Sequence, residues 1–228
     1  MVYNIDNTPS TSPFPNVEHA EQEPNGLLAV GGDLSPKRLM NAYKHGIFPW
    51  YNDDQPILWW SPDPRLVLFP ERLHISRSLH KFLRRKIFWP TMDQAFSQVI
   101  QACAAPRAKS GGTWLVAEMI SAYEILHALD IAHSVEVWEQ DTLVGGLYGV
   151  AIGRVFFGES MFSLRNNASK VALVHLVQRL QTWGYQLIDC QVYTRYLTSM
   201  GAEEISRQYF NSLLERWTQV PGQNGTWN

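Results

Sequence analysis

The 228-residue chain has only two cysteines, Cys103 and Cys190, far apart in sequence and without neighbours at metal-ligand spacing. That excludes a disulfide framework and a zinc-ribbon arrangement, and both thiols read as reduced residues packed among apolar neighbours. No apolar run approaches the ~20 residues of a membrane span, and the first residues lack the basic start and apolar stretch of a secretory signal. The expected compartment is the cytoplasm, with no membrane partner. There is no Walker loop, no dinucleotide fingerprint and no nucleophile elbow, so the usual signatures of nucleotide hydrolysis, hydride transfer and serine hydrolysis are missing. Nor is there an internal repeat. No metal and no cofactor is expected, and a monomer is the default.

Charge is sparse and uneven. Charged residues make up 18% of the chain, with a net charge of −2. Yet residues 65–86 hold seven Lys/Arg against the single acid Glu71, so this stretch carries +6 and the remainder −8. A local basic face on an acidic protein suits a polyanion, although a solvated helix face reads the same way. Arg77, Lys81, Arg84 and Arg85 stand at i, i+4, i+7 and i+8, which lines one side of a helix.

Aromatics are abundant instead. The chain has nine tryptophans, and residues 46–65 (GIFPWYNDDQPILWWSPDPR) hold three of them with four prolines. That block is too broken for one helix and too aromatic for a passive linker. Before it, Leu27–Val30 suggests a strand, and Ser35 caps a helix with Pro36 in its first position. Ile57–Trp60 suggests another strand. Residues 1–62 therefore read as a small N-terminal α/β domain, and 63–228 as a second domain. In the second, residues 66–69 suggest a strand, and Ser76 or one of its neighbours begins the basic helix, running to about Arg85. Thr91 and Gln94 form a capping box ahead of a helix through Cys103. Helical spacing covers Val116–Leu129. Three strands follow as a meander (134–139, 143–150 and 154–158), then a helix capped by Asn166 or Asn167. A buried strand at 186–192 and a helix from Arg207 to Trp217 complete an α+β architecture.

Two strings carry polar groups in apolar surroundings. LIDCQV (187–192) puts Asp189 and Gln191 at i and i+2, on one side of a strand, where burial demands hydrogen-bonding partners. A structural hydrogen-bonded pair and a reactive pair are both compatible with that spacing. GESMFS (158–163) puts Glu159 at the exit of a strand beside Gly158, which permits close approach by a ligand; a solvated strand-end acid is the plainer reading.

Together the aromatic block, GESMFS and LIDCQV resemble the leucyl/phenylalanyl-tRNA–protein transferases, from about Glu23 to Arg77 and from Trp114 to Val192. The resemblance implies a small N-terminal domain followed by a GNAT-like (acyl-CoA N-acyltransferase-like) domain. It implies transfer of leucine or phenylalanine, with methionine as a third candidate, from aminoacyl-tRNA to proteins with N-terminal Arg or Lys, which marks them for N-end rule degradation. By the same resemblance Asp189 and Gln191 are the central catalytic residues and Glu159 binds the acceptor. Trp50, Trp114 and Tyr123 hold the terminal adenosine. Leu147, Phe156, Leu176 and Ile188 form the pocket for the transferred side chain, with leucine at two positions where the family often has Met and Phe. Arg77, Lys81, Arg84 and Arg85 contact tRNA phosphates. The connection SLRNNASK (163–170) lacks the glycine loop with which a GNAT enzyme holds CoA. A different GNAT-like transferase and a non-catalytic RNA-binding protein are the competing readings; the second leaves Asp189, Gln191 and Glu159 without a purpose.

Overall fold

The computed structural model describes residues 1–105 and 115–227. In chain order the elements are β1 (Tyr3–Asn4), β2 (Leu27–Val30), α1 (Pro36–Lys44), β3 (Phe48–Pro49), β4 (Leu58–Trp60), β5 (Arg65–Leu68), α2 (Arg77–Leu83) and β6 (Trp89–Met92). They continue with α3 (Phe96–Ala104), α4 (Ala117–Ala128), β7 (Ala132–Glu139), β8 (Thr142–Ile152), β9 (Val155–Ser163), α5 (Ala168–Thr182), β10 (Leu187–Gln191), α6 (Arg195–Ser199), β11 (Glu203–Ile205) and α7 (Arg207–Trp217).

A four-stranded sheet, ordered β1-β2-β4-β3, occupies the N-terminal part, and a seven-stranded sheet, ordered β11-β5-β10-β9-β8-β7-β6, the rest. In the large sheet β9 and β10 are parallel and joined through α5, whereas β6 to β9 are antiparallel. A meander, a helix and a parallel strand in that order make the α+β arrangement expected from the sequence. Helices α3 and α4 cover one face of the large sheet and α5 the other. The buried faces follow from sequence: α1 buries Leu39, Ala42 and Tyr43 at helical spacing, with Ser35 accepting from the amide of Arg38 as its cap.

Strand β4 ends at Trp60 and β5 begins at Arg65. No seam in the core marks that boundary. Tyr43, Phe48 and Trp59 belong to the same apolar cluster as Phe96, Tyr148, Leu187 and Phe210. The two sheets therefore share a core rather than each closing its own.

Four local expectations are corrected. Thr91 caps no helix: it lies in β6, donating to Glu136 and accepting from the indole of Trp138, and α3 starts only at Phe96. Its side chain is used across the sheet, and the buried Glu136 receives the amide of Ala95 in place of a local cap. Strand β9 runs on to Ser163, so Glu159 lies inside the strand rather than at its exit. Asn167 is left-handed at φ 68° and offers no side-chain cap to α5; Ser163 accepts from the Ser169 amide instead. The basic helix ends at Leu83, so Arg84 and Arg85 sit on the turn that follows it.

The β8–β9 register shifts between Tyr148 and Gly149. A Cβ on Gly149 would lie 2.2 Å from the Phe157 carbonyl oxygen and 2.5 Å from the Phe156 ring. Overpacking of this kind costs about 1–3 kcal/mol. Gly149→Ala is expected to lose stability on that order in denaturant unfolding, and an unchanged midpoint would count against the tight register described here.

Candidate active site

Strands β9 and β10 pair only over Val155–Phe157 and Leu187–Asp189. Beyond those residues a cleft of about 730 Å³ opens, lined by the continuation of β9 from Gly158 and by Asp189–Val192. Its position follows from the strand order, since the parallel pair β9–β10 is the place where the large sheet parts. The C-terminal end of a strand beside a crossover helix is a common ligand position in sheets of this kind.

Asp189 and Gln191 meet there by a route that alternation does not supply. Strand β10 carries an irregularity against β5, with Asp189 opposite Val67 and Gln191 opposite Leu66. Two residues of β10 advance while β5 advances one, which is a bulge, and Gln191 takes a left-handed φ of 62°. Its backbone N–H donates to Asp189 Oδ1 at 2.9 Å, and its side-chain Nε2 donates to Glu159 Oε1 at 2.9 Å. Asp189 is wholly buried. Its Oδ1 also accepts from Arg65 Nε at 2.8 Å, and its Oδ2 from Arg65 Nη2 at 2.6 Å. Arg65 had only been counted in the basic stretch. It is instead a buried cation, and the sequence signal for it is an arginine heading the otherwise apolar strand RLVL.

Glu159 stands between two phenols. The hydroxyls of Tyr43 and Tyr123 each lie 2.8 Å from its carboxyl oxygens, and 2.5 Å from each other. These three O···O contacts close a triangle that needs three hydrogens. Two phenols with an ionised carboxylate supply two; a protonated Glu159 supplies the third. Burial pushes the carboxyl up to about 8, the phenol hydrogen bonds work against that shift, and the charge of Asp189 adds to it. Both phenols are in turn held well above their ordinary range, chiefly by burial and secondly by Glu159. Tyr43, which sequence periodicity assigned only to a helix face, is therefore part of the site.

The chain matches the family model "Leucyl/phenylalanyl-tRNA protein transferase" over residues 67–215 and the model of that family's N-terminal domain over 32–63. The chain belongs to this family. A leucyl/phenylalanyl-tRNA–protein transferase of Nitrosomonas europaea is 60% identical over 96% of this chain and 92% of its own length. One of Cellvibrio japonicus is 56% identical over 94% and 91%, and one of Pseudomonas aeruginosa PAO1 60% identical over 91% and 92%. Among solved structures, a GCN5-related N-acetyltransferase from Kribbella flavida superposes with TM-score 0.41 and 12% identity, covering 75% of this chain and 61% of that one.

In this member of the transferase family Leu147, Phe156, Leu176 and Ile188 are all buried, and all line the same cleft as Glu159 and Gln191. Trp50 lines it too, 45% exposed and tilted against Trp60. Tyr123 departs from the expectation of a base-stacking ring. It is completely buried, packed edge-on to Tyr148, and its hydroxyl is engaged by Glu159. Neither face is open to an adenine. Trp114 lies outside the described residues. Arg77, Lys81, Arg84 and Arg85 are all exposed and do not line the cleft. Both cysteines line it, free and half-buried against the two apolar clusters as expected of thiols among apolar neighbours; burial raises the Cys190 thiol far above its usual range. Among the described residues no cluster of His, Cys, Asp or Glu could hold a metal ion, and no helix is long and apolar enough to cross a membrane.

The raised carboxyl has a consequence for stability. Between pH 4.5, the ordinary value, and about 8 the folded chain keeps a proton on Glu159 that the unfolded chain has released. The stabilisation from this group is complete below about pH 4.5 and is lost as pH rises through about 8. Glu159→Gln, which cannot ionise, is expected to gain stability relative to the parent on going from pH 5 to pH 8. Parallel stability curves for the two proteins, measured by denaturant unfolding, would contradict a raised Glu159.

Proposed function

We propose that the chain transfers leucine or phenylalanine, with methionine as a third candidate, from aminoacyl-tRNA to the α-amine of proteins bearing N-terminal Arg or Lys. The observation that carries this reading is the single cleft in which the Glu159–Gln191 pair adjoins an apolar hole lined by Leu147, Phe156, Leu176 and Ile188. Family membership over nearly the whole chain supports the same reading. The product marks proteins for N-end rule degradation. The cytoplasm as compartment and a monomeric state complete the proposal.

The reaction exchanges an ester for an amide. The acceptor nitrogen attacks the ester carbon, the new C–N bond forms, and the tRNA 3′-terminal oxygen leaves with a proton. The ester already carries the activation, so no nucleotide hydrolysis is required. A free α-amine has a pKa near 8, so about a tenth is unprotonated at pH 7. It needs an acceptor for its hydrogen bond and a fixed direction of approach. Gln191 spends one amide N–H on Glu159, and its carbonyl oxygen is the part suited to receive the amine. Holding two reactants in line contributes several kcal/mol. Asp189 is a poor candidate for taking the proton itself, because both its oxygens are already engaged and no part of it meets solvent. Its role is to orient Gln191, through the backbone N–H.

Glu159 serves the acceptor. Neutral in the empty cleft, it gains from ionising when a cationic side chain or amine arrives beside it, and a neutral N-terminal residue offers no such gain. Trp50 gives the terminal adenosine a partly open ring; stacking of a base on an aromatic contributes roughly 1–3 kcal/mol. The resemblance gives Trp114 and Tyr123 the same duty; Tyr123 serves instead by holding Glu159. Arg77, Lys81, Arg84 and Arg85 supply phosphate contacts to the acceptor arm that weaken with salt.

Labelled leucine is expected to pass from leucyl-tRNA to a protein with N-terminal Arg and not to its N-terminal Gly counterpart. Glu159→Gln is expected to raise KM for the Arg protein more than for leucyl-tRNA. Bound tRNA without transfer to either protein would remove the transferase reading. Phenylalanine fills more of the pocket than leucine, so Leu176→Phe is expected to depress phenylalanine transfer about tenfold more than leucine transfer, a difference of the size one or two methylenes make. Equal losses would take Leu176 out of the pocket.

A further inference from the structure

Arg65 is 1% exposed, and its guanidinium combines three hydrogen bonds with two aromatic contacts. Nε and Nη2 take the two oxygens of Asp189 in a paired fork, and Nη1 donates to the Gly46 carbonyl at 3.1 Å. The guanidinium carbon lies 4.8 Å from the Phe48 ring and 4.7 Å from the Phe210 ring. One cation is thus held in its plane by a carboxylate and a carbonyl, and by an aromatic ring from each of two elements, β3 and α7.

We propose that Arg65 is a positioning residue for the transfer reaction, acting through Asp189 to hold the Gln191 bulge. It rests on the reading that Gln191 meets the acceptor amine. Asp189 Oδ1 accepts both Arg65 Nε and the Gln191 backbone N–H. Turning that oxygen would release the N–H that holds Gln191 at φ 62°, a conformation disfavoured for a residue with a Cβ. The side-chain amide that reaches Glu159 would then lose its direction. Rigid support of this kind is what a reaction relying on orientation requires, since small misplacements cost large factors in rate. A lysine in place of Arg65 keeps the charge and loses the planar fork, so it cannot fix both oxygens at once.

The experiment compares the parent, Arg65→Lys, Gln191→Ala and the double variant in leucine transfer, with leucyl-tRNA and an N-terminal Arg protein each varied in turn. The expected result is a fall in kcat of about ten- to a hundredfold for Arg65→Lys, with both KM values within threefold. The double variant is expected to be no slower than Gln191→Ala alone, because Arg65 acts through that residue. Should Arg65→Lys not fold, Phe210→Leu loosens the guanidinium without touching the carboxylate, and the same non-additivity with Gln191→Ala is expected. An unchanged kcat, or losses that multiply in the double variant, overturns the role of Arg65. A Gln191→Ala variant as active as the parent overturns the underlying reading of Gln191 as well, which separates the two failures.

Discussion

The ion pair of Arg65 and Asp189 is the contact on which the rest of the site depends. Removing two charges from water carries a penalty of several kcal/mol for each, which is offset only when geometry is good and the remaining lone pairs and protons are satisfied. Here the pair is paralleled by a carbonyl, a backbone N–H and two aromatic faces. Those partners come from the N-terminal unit, from β10 and from α7. The charge pair therefore has to form where the N-terminal sheet, the large sheet and the last helix meet, and it fails if any one of them is misplaced. A shared apolar core brings the same three parts together.

Glu159 shows the opposite solution to burying an acid. Among the described residues no cation is in contact with it, and two phenols and an amide surround it. It stays neutral near neutral pH, whereas Asp189, one strand away, is matched by a guanidinium. Two acids bridged by one glutamine are thus held in different ways. In the proposed reaction that difference divides the labour: Asp189 is tied down and gives rigidity, and Glu159 is free to change charge when a cationic acceptor enters. The apolar hole beside them has no polar side chain among Leu147, Phe156, Leu176 and Ile188, which suits the side chain of leucine or phenylalanine and nothing charged.

Much of the element order was legible. Proline after Ser35, glycine after α1 and the alternation of SVEVWE all act locally, through backbone angles and side-chain period, so they can be read one window at a time. Residues 207–217 were read to the observed limits for the same reason. The misreadings were of residues whose partners are distant. Thr91 has the form of a cap and is spent across the sheet on Glu136 and Trp138. Tyr123 has the form of a stacking ring and is sealed beneath Glu159. The extra residue in β10 that turns Gln191 is set by the pairing with β5, some 120 positions earlier.

The sequence by itself determined the kinds of groups at the centre, namely an acid and an amide two residues apart, a second acid beside a glycine, and a set of apolar residues that could fill a pocket. It also determined the family, because its motifs are long. Only the tertiary structure decided how each group is held. Charge state and direction depend on what surrounds a group in space: burial raises Glu159 against the opposing hydrogen bonds of two phenols, a guanidinium from the head of β5 occupies Asp189, and a bulge aims Gln191. Each of those neighbours lies more than 30 residues away along the chain or arises from pairing with such a strand, and no periodicity in a single segment can record it.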